Sequence, residues 1–240
     1  MMNTKNKIKL IIFDLDNTIC DTIGAIPKSM SVCFKFLKNF YPNISFDLFI
    51  QREESVFNRL AVEQKIPVYS IRAIYWHEIF KELNIPINPI LIKDLILLYS
   101  DQLAKNVELF DGITELLDYL KGEKFKMTIL SNGDYITKAH MLQYLNILHY
   151  FDLVVSSDMI LSEKPNPNAF KYVLNHFNID PQHAIMIGDE IKNDIEGSLQ
   201  VGIQPIYAKW SHKNLYKDTS QLNSKVIVCT KPIEVIDYLK

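Results

Sequence analysis

The sequence has few cysteines, no long apolar run and little net charge, and each scarcity excludes a class of protein. Its 240 residues include three cysteines, none in a C-x-x-C pair, so we expect neither a disulfide framework nor a zinc site. The apolar run after the polar N-terminus is too short for a signal peptide or a membrane span. A formal net charge of -2 argues against non-specific binding to nucleic acid or membranes. The few cysteines fit the reducing cytoplasm. We expect a monomer or weak homodimer that binds neither nucleic acid nor membranes.

Glycine and arginine are distributed so unevenly that they divide the chain. No glycine occurs between Gly24 and Gly112, and all three arginines, Arg52, Arg59 and Arg72, lie in that interval. Apolar residues recur there with helical spacing, and prolines fall between the apolar runs. The pattern predicts about four helices with short connections, and we expect residues 21–106 to form an all-helical domain.

Outside that interval, short β-branched runs alternate with amphipathic helical stretches. The runs are KLIIFD, KMTILSNG, FDLVVSS, AIMIGDE, IQPIYA and KVIVCT. Strands that alternate with helices imply right-handed crossovers and a parallel sheet. The predicted fold class is therefore α/β, a Rossmann-like parallel sheet core formed by residues 1–20 and 107–240, with the all-helical domain inserted after the first strand.

Polar residues follow four of the predicted strands. The first strand leads into Asp14, Asp16 and Thr18, the second into Ser131, Asn132 and Gly133, the third into Lys164, and the fourth into Asp189 and Asp194. Ligands of open parallel sheets bind outside the carboxyl ends of the strands. We therefore expect these side chains to converge on one crevice.

Such a crevice points to phosphoryl transfer. Several carboxylates in one site need a hard divalent cation, and oxygen-only ligands suit Mg²⁺, which also takes a phosphate oxygen of the substrate. Lysine, hydroxyl and amide groups can hold the remaining phosphate oxygens. One carboxylate can attack phosphorus to form an aspartyl-phosphate, and a second can protonate the leaving alcohol and later deprotonate water.

The strand-end motifs resemble those of the haloacid dehalogenase superfamily phosphatases. The D-x-D-x-T pattern, the SN pair, the lysine of EKPNP and the acidic GDEIKND occur in the expected order. The resemblance covers nearly the whole chain and identifies the helical insertion as a cap. Within the superfamily, FDLDNTICDTIGA, SNGD and IMIGDEIKNDIEG are most similar to the branch that dephosphorylates N-acylneuraminate 9-phosphate, with pyrimidine-type 5′-nucleotidases close behind.

The resemblance implies a role for each matching residue. Asp14 would be the nucleophile and a Mg²⁺ ligand, whereas Asp16 would bind the ion through its main-chain carbonyl and act as acid and base with its side chain. Lys164 would be catalytic, neutralising charge on the nucleophile and the phosphoryl group. The other implied roles are phosphate binding by Ser131, Asn132, Gly133 and Lys164, loop and phosphate positioning by Thr18, direct metal ligation by Asp189, and a contribution of Asp194 to the metal site through water or Lys164. Glu190 departs from the family pattern and adds negative charge beside the metal.

The expected function is hydrolysis of a small phosphorylated metabolite, either N-acylneuraminate 9-phosphate or a related sugar phosphate. A 5′-nucleotidase is the alternative. Three other classes fit less well: a dehalogenase does not need an acid at Asp16, a phosphomutase would differ in cap and product pattern, and a non-catalytic binding protein would typically have lost a motif residue.

Three expectations concern residues outside the motifs. Arg72 is a candidate for binding an acidic group of the substrate, because guanidinium matches a carboxylate with two hydrogen bonds, although a surface ion pair is the competing interpretation. Arg52 and Arg59 lie seven residues apart and share one helix face, so we expect them to pair with Glu53, Glu54 or Glu63. Residues 211–225 are predicted to form a solvated loop.

Overall fold

The computed structural model describes residues 8–211, 214 and 218–240, with the backbone alone at positions 68, 69, 72 and 73. Within those ranges the chain forms a six-stranded parallel sheet in the order β3-β2-β1-β4-β5-β6. The strands are β1 (Leu10–Phe13), β2 (Lys126–Ser131), β3 (Leu153–Ser156), β4 (Ala184–Gly188), β5 (Gln204–Ala208) and β6 (Ile227–Cys229). Each strand coincides with one of the predicted β-branched runs, which confirms the predicted α/β class.

Strand β1 lies near the middle of the sheet and is buried on both faces. Ile11 and Phe13 belong to one apolar cluster and Leu10 and Ile12 to another, because side chains alternate along a strand. The first cluster is shared with α5 (Ile113–Gly122), α6 (Tyr135–Tyr144) and α10 (Glu234–Leu239), and the second with α8 (Pro167–Phe177). Helices therefore cover both faces of the sheet.

The register of the three central strands brings their carboxyl ends together. Phe13 is level with Ile129 of β2 and with Ile187 of β4. The residues that follow β1, β2 and β4 therefore emerge side by side at one edge of the sheet. Short helical elements complete the chain: the 3₁₀ turns Leu148–Tyr150 and Pro181–His183, α7 (Ser157–Ile160), the π-helical turn Ile191–Glu196 and α9 (Gly197–Gln200).

Four helices follow β1, as the helical spacing predicts. They are α1 (Thr22–Lys38), α2 (Phe46–Phe57), α3 (Val68–Glu82) and α4 (Pro89–Asn106), with a π-helical turn, Asn58–Glu63, extending α2. We call them the four-helix segment. Their apolar faces form a cluster of their own that includes Phe49, Trp76 and Phe80. The predicted domain boundaries at residues 21 and 106 stay a prediction.

Helix α4 connects the four-helix segment with the sheet side of the molecule. Its Leu103 and Ala104 belong to the apolar cluster that covers the sheet. Ser100 of α4 and Thr137 of α6 share a buried hydrogen bond of 2.6 Å between their hydroxyls. No helix in the described part of the chain, α4 included, combines the length and apolarity needed to cross a membrane.

Candidate active site

The loop after β1 is fixed by its own main-chain bonds. The N–H of Asp14 donates to the carbonyl of Ile187 at 2.9 Å, which extends the pairing of β1 with β4 by one residue. Asn17 has a φ of 58°, in the left-handed region that asparagine tolerates. Its N–H donates to the carbonyl of Cys20 at 2.8 Å, and its side-chain oxygen accepts from the N–H of Ile23 at 3.1 Å. These bonds connect the acidic loop to the first turn of α1.

Lys164 bridges two buried carboxylates. Its Nζ donates to Oδ1 of Asp14 and to Oδ1 of Asp194, each at 2.7 Å, and the residue is 3% exposed. Burial opposes the charged form of the lysine, but attraction to the two carboxylates outweighs it and raises the pKa of Lys164 above its usual value. Lys164 is therefore a charged ammonium group that joins the motif after β1 to the motif after β4.

Three carboxylates form a cluster that could hold a metal ion. One oxygen each of Asp14, Asp189 and Asp194 lies within 4.8 Å of the others, and all three residues are buried. Burial raises the pKa of Asp14 well above its usual value; Lys164 opposes this effect, and the other carboxylates, including Asp16, add to it. A cation would relieve that repulsion. The donors are oxygens alone, so the residues present fit the hard Mg²⁺ ion.

Asp189 is held by groups behind the cluster. Thr18 Oγ1 donates to Asp189 Oδ1 at 3.4 Å, and Asn214 Nδ2 donates to the carbonyl and to Oδ2 of Asp189, at 2.9 and 3.2 Å. The indole N–H of Trp210 donates to the carbonyl of Thr18 at 2.8 Å. Thr18 is fully buried, so its hydroxyl orients the Asp189 carboxylate from behind.

The side chain of Asp16 makes a different set of contacts. Thr22 Oγ1 donates to its Oδ1 at 2.8 Å, Ser131 Oγ donates to its Oδ2 at 3.0 Å, and Lys138 both hydrogen-bonds and ion-pairs with Oδ2. Burial would raise the pKa of Asp16, but Lys138 and these hydrogen bonds outweigh it and lower the pKa. The Asp16 carboxylate is therefore ionised, and it lies outside the three-carboxylate cluster.

The motif after β2 is bound to neighbouring loops. The side-chain amide of Asn132 donates to the carbonyl of Lys164 at 3.0 Å and accepts from the N–H of Lys164 at 2.9 Å. The N–H of Gly133 donates to Ser157 Oγ at 2.9 Å, and Ser131 donates to Asp16. These predicted phosphate donors thus have partners inside the protein, and Asn132 also positions the main chain that carries Lys164.

All four motifs meet at one cleft at the carboxyl edge of the sheet. Its volume is about 130 Å³. The described residues that line it are Asp14, Asp16, Asn17, Asn132, Lys164, Asp189, Glu190, Asn193 and Asp194. Pockets that enclose a whole small molecule measure roughly 300–1,000 Å³, so this cleft matches a phosphoryl group better than a complete metabolite. Thr18, Ser131 and Gly133 are not among the described lining residues. Thr18 and Ser131 donate to the lining residues Asp189 and Asp16 from behind, whereas Gly133 donates to Ser157.

A family model for haloacid dehalogenase-like hydrolases matches residues 11–208, which include all four motifs. The chain belongs to the haloacid dehalogenase-like hydrolase family. A HAD-hydrolase of Bacillus subtilis, solved bound to magnesium, has the same fold with a TM-score of 0.74 at 20% identity, over 97% of this chain and 99% of that one.

Two curated relatives of this hydrolase are phosphatases. N-acylneuraminate-9-phosphatase of Homo sapiens is 26% identical over 218 residues, which cover 87% of this chain and 84% of the relative. Glyceraldehyde 3-phosphate phosphatase of Pyrococcus furiosus is 26% identical over 205 residues, which cover 85% and 82%. The hydrolase is accordingly a phosphatase.

Two residues that contact motif residues of this hydrolase, Asn214 and Lys138, were not selected as site residues from the sequence. Asn214 falls within the predicted solvated loop, yet Asn214 and Ser211 are buried, so that prediction was wrong at these positions. The reason is that the buried oxygens of Asp189 require donors. For Lys138 one indication was available: it lies three and four residues before Met141 and Leu142, on the buried face of α6.

A second cavity, of about 260 Å³, lies within the four-helix segment of the hydrolase. Its described lining is Ile26, Glu53, Phe57, Ile71, Tyr75, Trp76 and Tyr99. The hydroxyl of Tyr75 donates to Glu53, and burial raises the pKa of both side chains. Tyr75 and Trp76 thus line a cavity, and Trp76 is at the same time part of the apolar core.

Arg52 and Arg59 of the hydrolase have partners other than the predicted ones. Arg59 donates to Glu78 at 3.1 Å and to Glu82 at 3.4 Å, and Arg52 lies 3.7 Å from Glu82. These glutamates belong to α3, so pairing with the glutamates predicted along α2 was wrong, because α2 packs against α3. Arg72 lies in α3, but its side chain is outside the described residues, and its role stays a prediction.

Proposed function

We propose that this protein hydrolyses small phosphate monoesters in a Mg²⁺-dependent reaction that passes through phosphorylated Asp14. The observation that supports this most is the environment of Asp14. Its Oδ1 is held by Lys164, whereas no hydrogen bond to its Oδ2 is found among the described residues. One oxygen is thus fixed and the other is available to attack a phosphorus atom in the cleft.

The first step would form an acyl phosphate. Oδ2 of Asp14 attacks phosphorus, and the bond from phosphorus to the leaving oxygen breaks. Lys164 stabilises the negative charge on the phosphoryl oxygens and the nucleophile, and Asp194 keeps Lys164 in place. Mg²⁺ bound by Asp14, Asp189 and the main-chain carbonyl of Asp16 would supply further neutralisation of this charge.

Asp16 would act as the general acid and the general base of the reaction. It donates a proton to the departing alkoxide, and then takes one from the water that attacks the acyl phosphate, which regenerates both Asp14 and protonated Asp16. The free Asp16 carboxylate has a lowered pKa. The negative phosphate of a bound substrate opposes ionisation of a nearby carboxylate, and so promotes the protonated form that the first step needs.

The proposed substrate is a small sugar phosphate. The cleft suits a phosphoryl group, so the leaving group must extend beyond it. The names of the relatives specify an N-acylneuraminate 9-phosphate and a glyceraldehyde 3-phosphate, both small phosphorylated carbohydrates. N-acylneuraminate 9-phosphate is our first candidate, and a pyrimidine 5′-nucleotide is the alternative.

We also propose that the four-helix segment serves as the cap over the cleft. The chain enters and leaves it at adjacent points, since the N–H of Asp21 donates to the carbonyl of Glu108 at 2.9 Å and Cys20 bridges to Leu109. Closure of such a cap would exclude water and bulky phosphoproteins. The Ser100–Thr137 bond joins α4 to α6, so closure must either preserve that contact or break it.

The test is a phosphate-release screen over sugar phosphates, acidic sugar phosphates and nucleotides. Activity should disappear in EDTA and return with Mg²⁺. Asp14→Asn should lower kcat by at least about 10³-fold, because an amide is a far poorer nucleophile. Asp152→Asn is the matched control, since Asp152 pairs with Lys126 outside the cleft. Full activity after exhaustive chelation, or a near-normal kcat for Asp14→Asn, would contradict the proposal.

A further inference from the structure

Lys138 is a buried lysine whose ammonium group faces Asp16. The residue is 7% exposed, and it lies outside the family motifs described above. Burying a charge costs free energy unless it is paired, and here the partner is Oδ2 of Asp16. Ser131 donates to the same oxygen and Thr22 to the other one, so donors from β2, α1 and α6 converge on one carboxylate.

The first turn of α6 is held in place so that Lys138 can reach Asp16. Asp134 caps the helix, since its side chain accepts from the N–H of Thr137 at 3.0 Å. The hydroxyl of Thr137 bonds to Ser100 on α4. Gly133 has a φ of 128°, and a Cβ built there would lie 3.2 Å from Cε of Lys138 and 3.6 Å from its Nζ. The absence of a side chain at Gly133 therefore leaves room for the lysine.

Lys138 differs from Lys164 in its contacts with the cleft. Lys164 lines the cleft and contacts the nucleophile, whereas Lys138 is not among the described lining residues. Its route to the reaction therefore passes through Asp16. We infer that Lys138 is a positioning residue that holds the Asp16 carboxylate for proton transfer to the leaving group. The inference rests on the proposed function, in which Asp16 is the acid and base.

The inference predicts an effect that depends on the leaving group. A sugar or alkyl alkoxide needs a proton as it departs, whereas p-nitrophenolate is stable without one. Lys138→Met should therefore lower kcat/KM for an alkyl phosphate such as glycerol phosphate by about 10²-fold, the size of a lost general-acid contribution. With p-nitrophenyl phosphate the loss should be at least tenfold smaller, and Lys138→Arg should restore part of the alkyl rate.

Two further variants separate positioning from a structural role. Lys126→Met makes the same substitution at a lysine that pairs with Asp152 outside the cleft and leaves the Lys138–Asp16 contact, so it should change kcat/KM for the alkyl and the aryl phosphate by the same factor. In an Asp16→Asn background, Lys138→Met should cause little further loss, because the group through which it acts is gone. If Lys138→Met fails to fold, Lys138→Gln, which can donate to Asp16 but lacks the positive charge, should lower kcat/KM for glycerol phosphate by a larger factor than kcat/KM for p-nitrophenyl phosphate.

The outcomes distinguish this inference from the proposed function. Equal losses on alkyl and aryl phosphates in the Lys138 variants, or a full additional loss in the Asp16→Asn background, would overturn the inference and leave the phosphatase proposal intact. A wild-type protein without Mg²⁺-dependent phosphate release, or an active Asp14→Asn, would instead overturn the proposed function.

Discussion

Removing Lys164 should destabilise the protein strongly and make it more dependent on Mg²⁺. Each of its two ion pairs, at 2.7 Å, is worth about 6 kcal/mol at an effective dielectric constant near 20, before the cost of burying the charges. Deleting one partner of a buried pair typically costs about 3–5 kcal/mol, because the remaining charge is uncompensated. For a chain of this size, that loss corresponds to a fall in melting temperature of roughly 6–20 °C for Lys164→Met in the absence of Mg²⁺.

Mg²⁺ should recover more stability in the variant than in the wild type. Lys164→Met removes the ammonium group that pairs with Asp14 and Asp194, so an added divalent ion relieves a larger repulsion among these carboxylates and Asp189. The control with the opposite change of charge is Asp194→Asn, for which the Mg²⁺-induced rise in melting temperature should be smaller than in the wild type. Phosphate release by Lys164→Met should stay low even with Mg²⁺, because in the proposed mechanism the lysine also stabilises the transferring phosphoryl group.

The measurement is thermal unfolding in EDTA and along a Mg²⁺ titration at constant ionic strength, together with phosphate release. An unchanged melting temperature of Lys164→Met in EDTA would show that the buried pairs contribute nothing. A Mg²⁺-induced rise no larger than that of the wild type would show that Lys164 and the ion do not compensate the same charges. Either result would refute the electrostatic account of the cluster.

Two further substitutions test residues beyond the cluster. Arg72→Lys should raise KM for a carboxylated sugar phosphate and leave p-nitrophenyl phosphate hydrolysis unchanged, because lysine cannot match a carboxylate with two hydrogen bonds; equal effects on both substrates would assign Arg72 to the surface. Gly133→Ala should lower the free energy of unfolding by about 1–3 kcal/mol, because its φ of 128° is strained for alanine and the new Cβ presses on Lys138; thermal unfolding should show no such loss for Gly122→Ala, where a Cβ meets nothing within 4 Å.

The strands could be predicted because each satisfies a local rule. LIIF of β1 is an unbroken apolar run, as expected for a strand covered by helices on both faces, and each of the other five strands contains at least two consecutive apolar residues. The convergence of Asp14 and Asp189 followed from one topological rule, since parallel strands end at the same edge. Neither step needed knowledge of a side-chain contact.

The partners of the motif residues could not be predicted in the same way. If Asp14 is the nucleophile, as proposed, it has to be a carboxylate to form an acyl phosphate, so its residue type is informative. The groups around Asp16 need only donate a hydrogen bond to its carboxylate. The hydroxyls of Thr22 and Ser131 and the ammonium group of Lys138 all do so. Several residue types can therefore fill these positions, so residue type alone does not identify the partners of Asp16.

Distance along the chain adds to the difficulty. Lys138 lies 122 residues from Asp16, and Asn214 lies 25 residues from Asp189 within a segment of polar composition. What identifies such residues is a conflict between residue type and local pattern, because a lysine on the buried face of an amphipathic helix has to find a counter-charge in the interior. Applied to α6, that criterion selects Lys138 and implies a buried carboxylate within its reach. Asp16, at the end of a neighbouring parallel strand, is a carboxylate that meets this requirement.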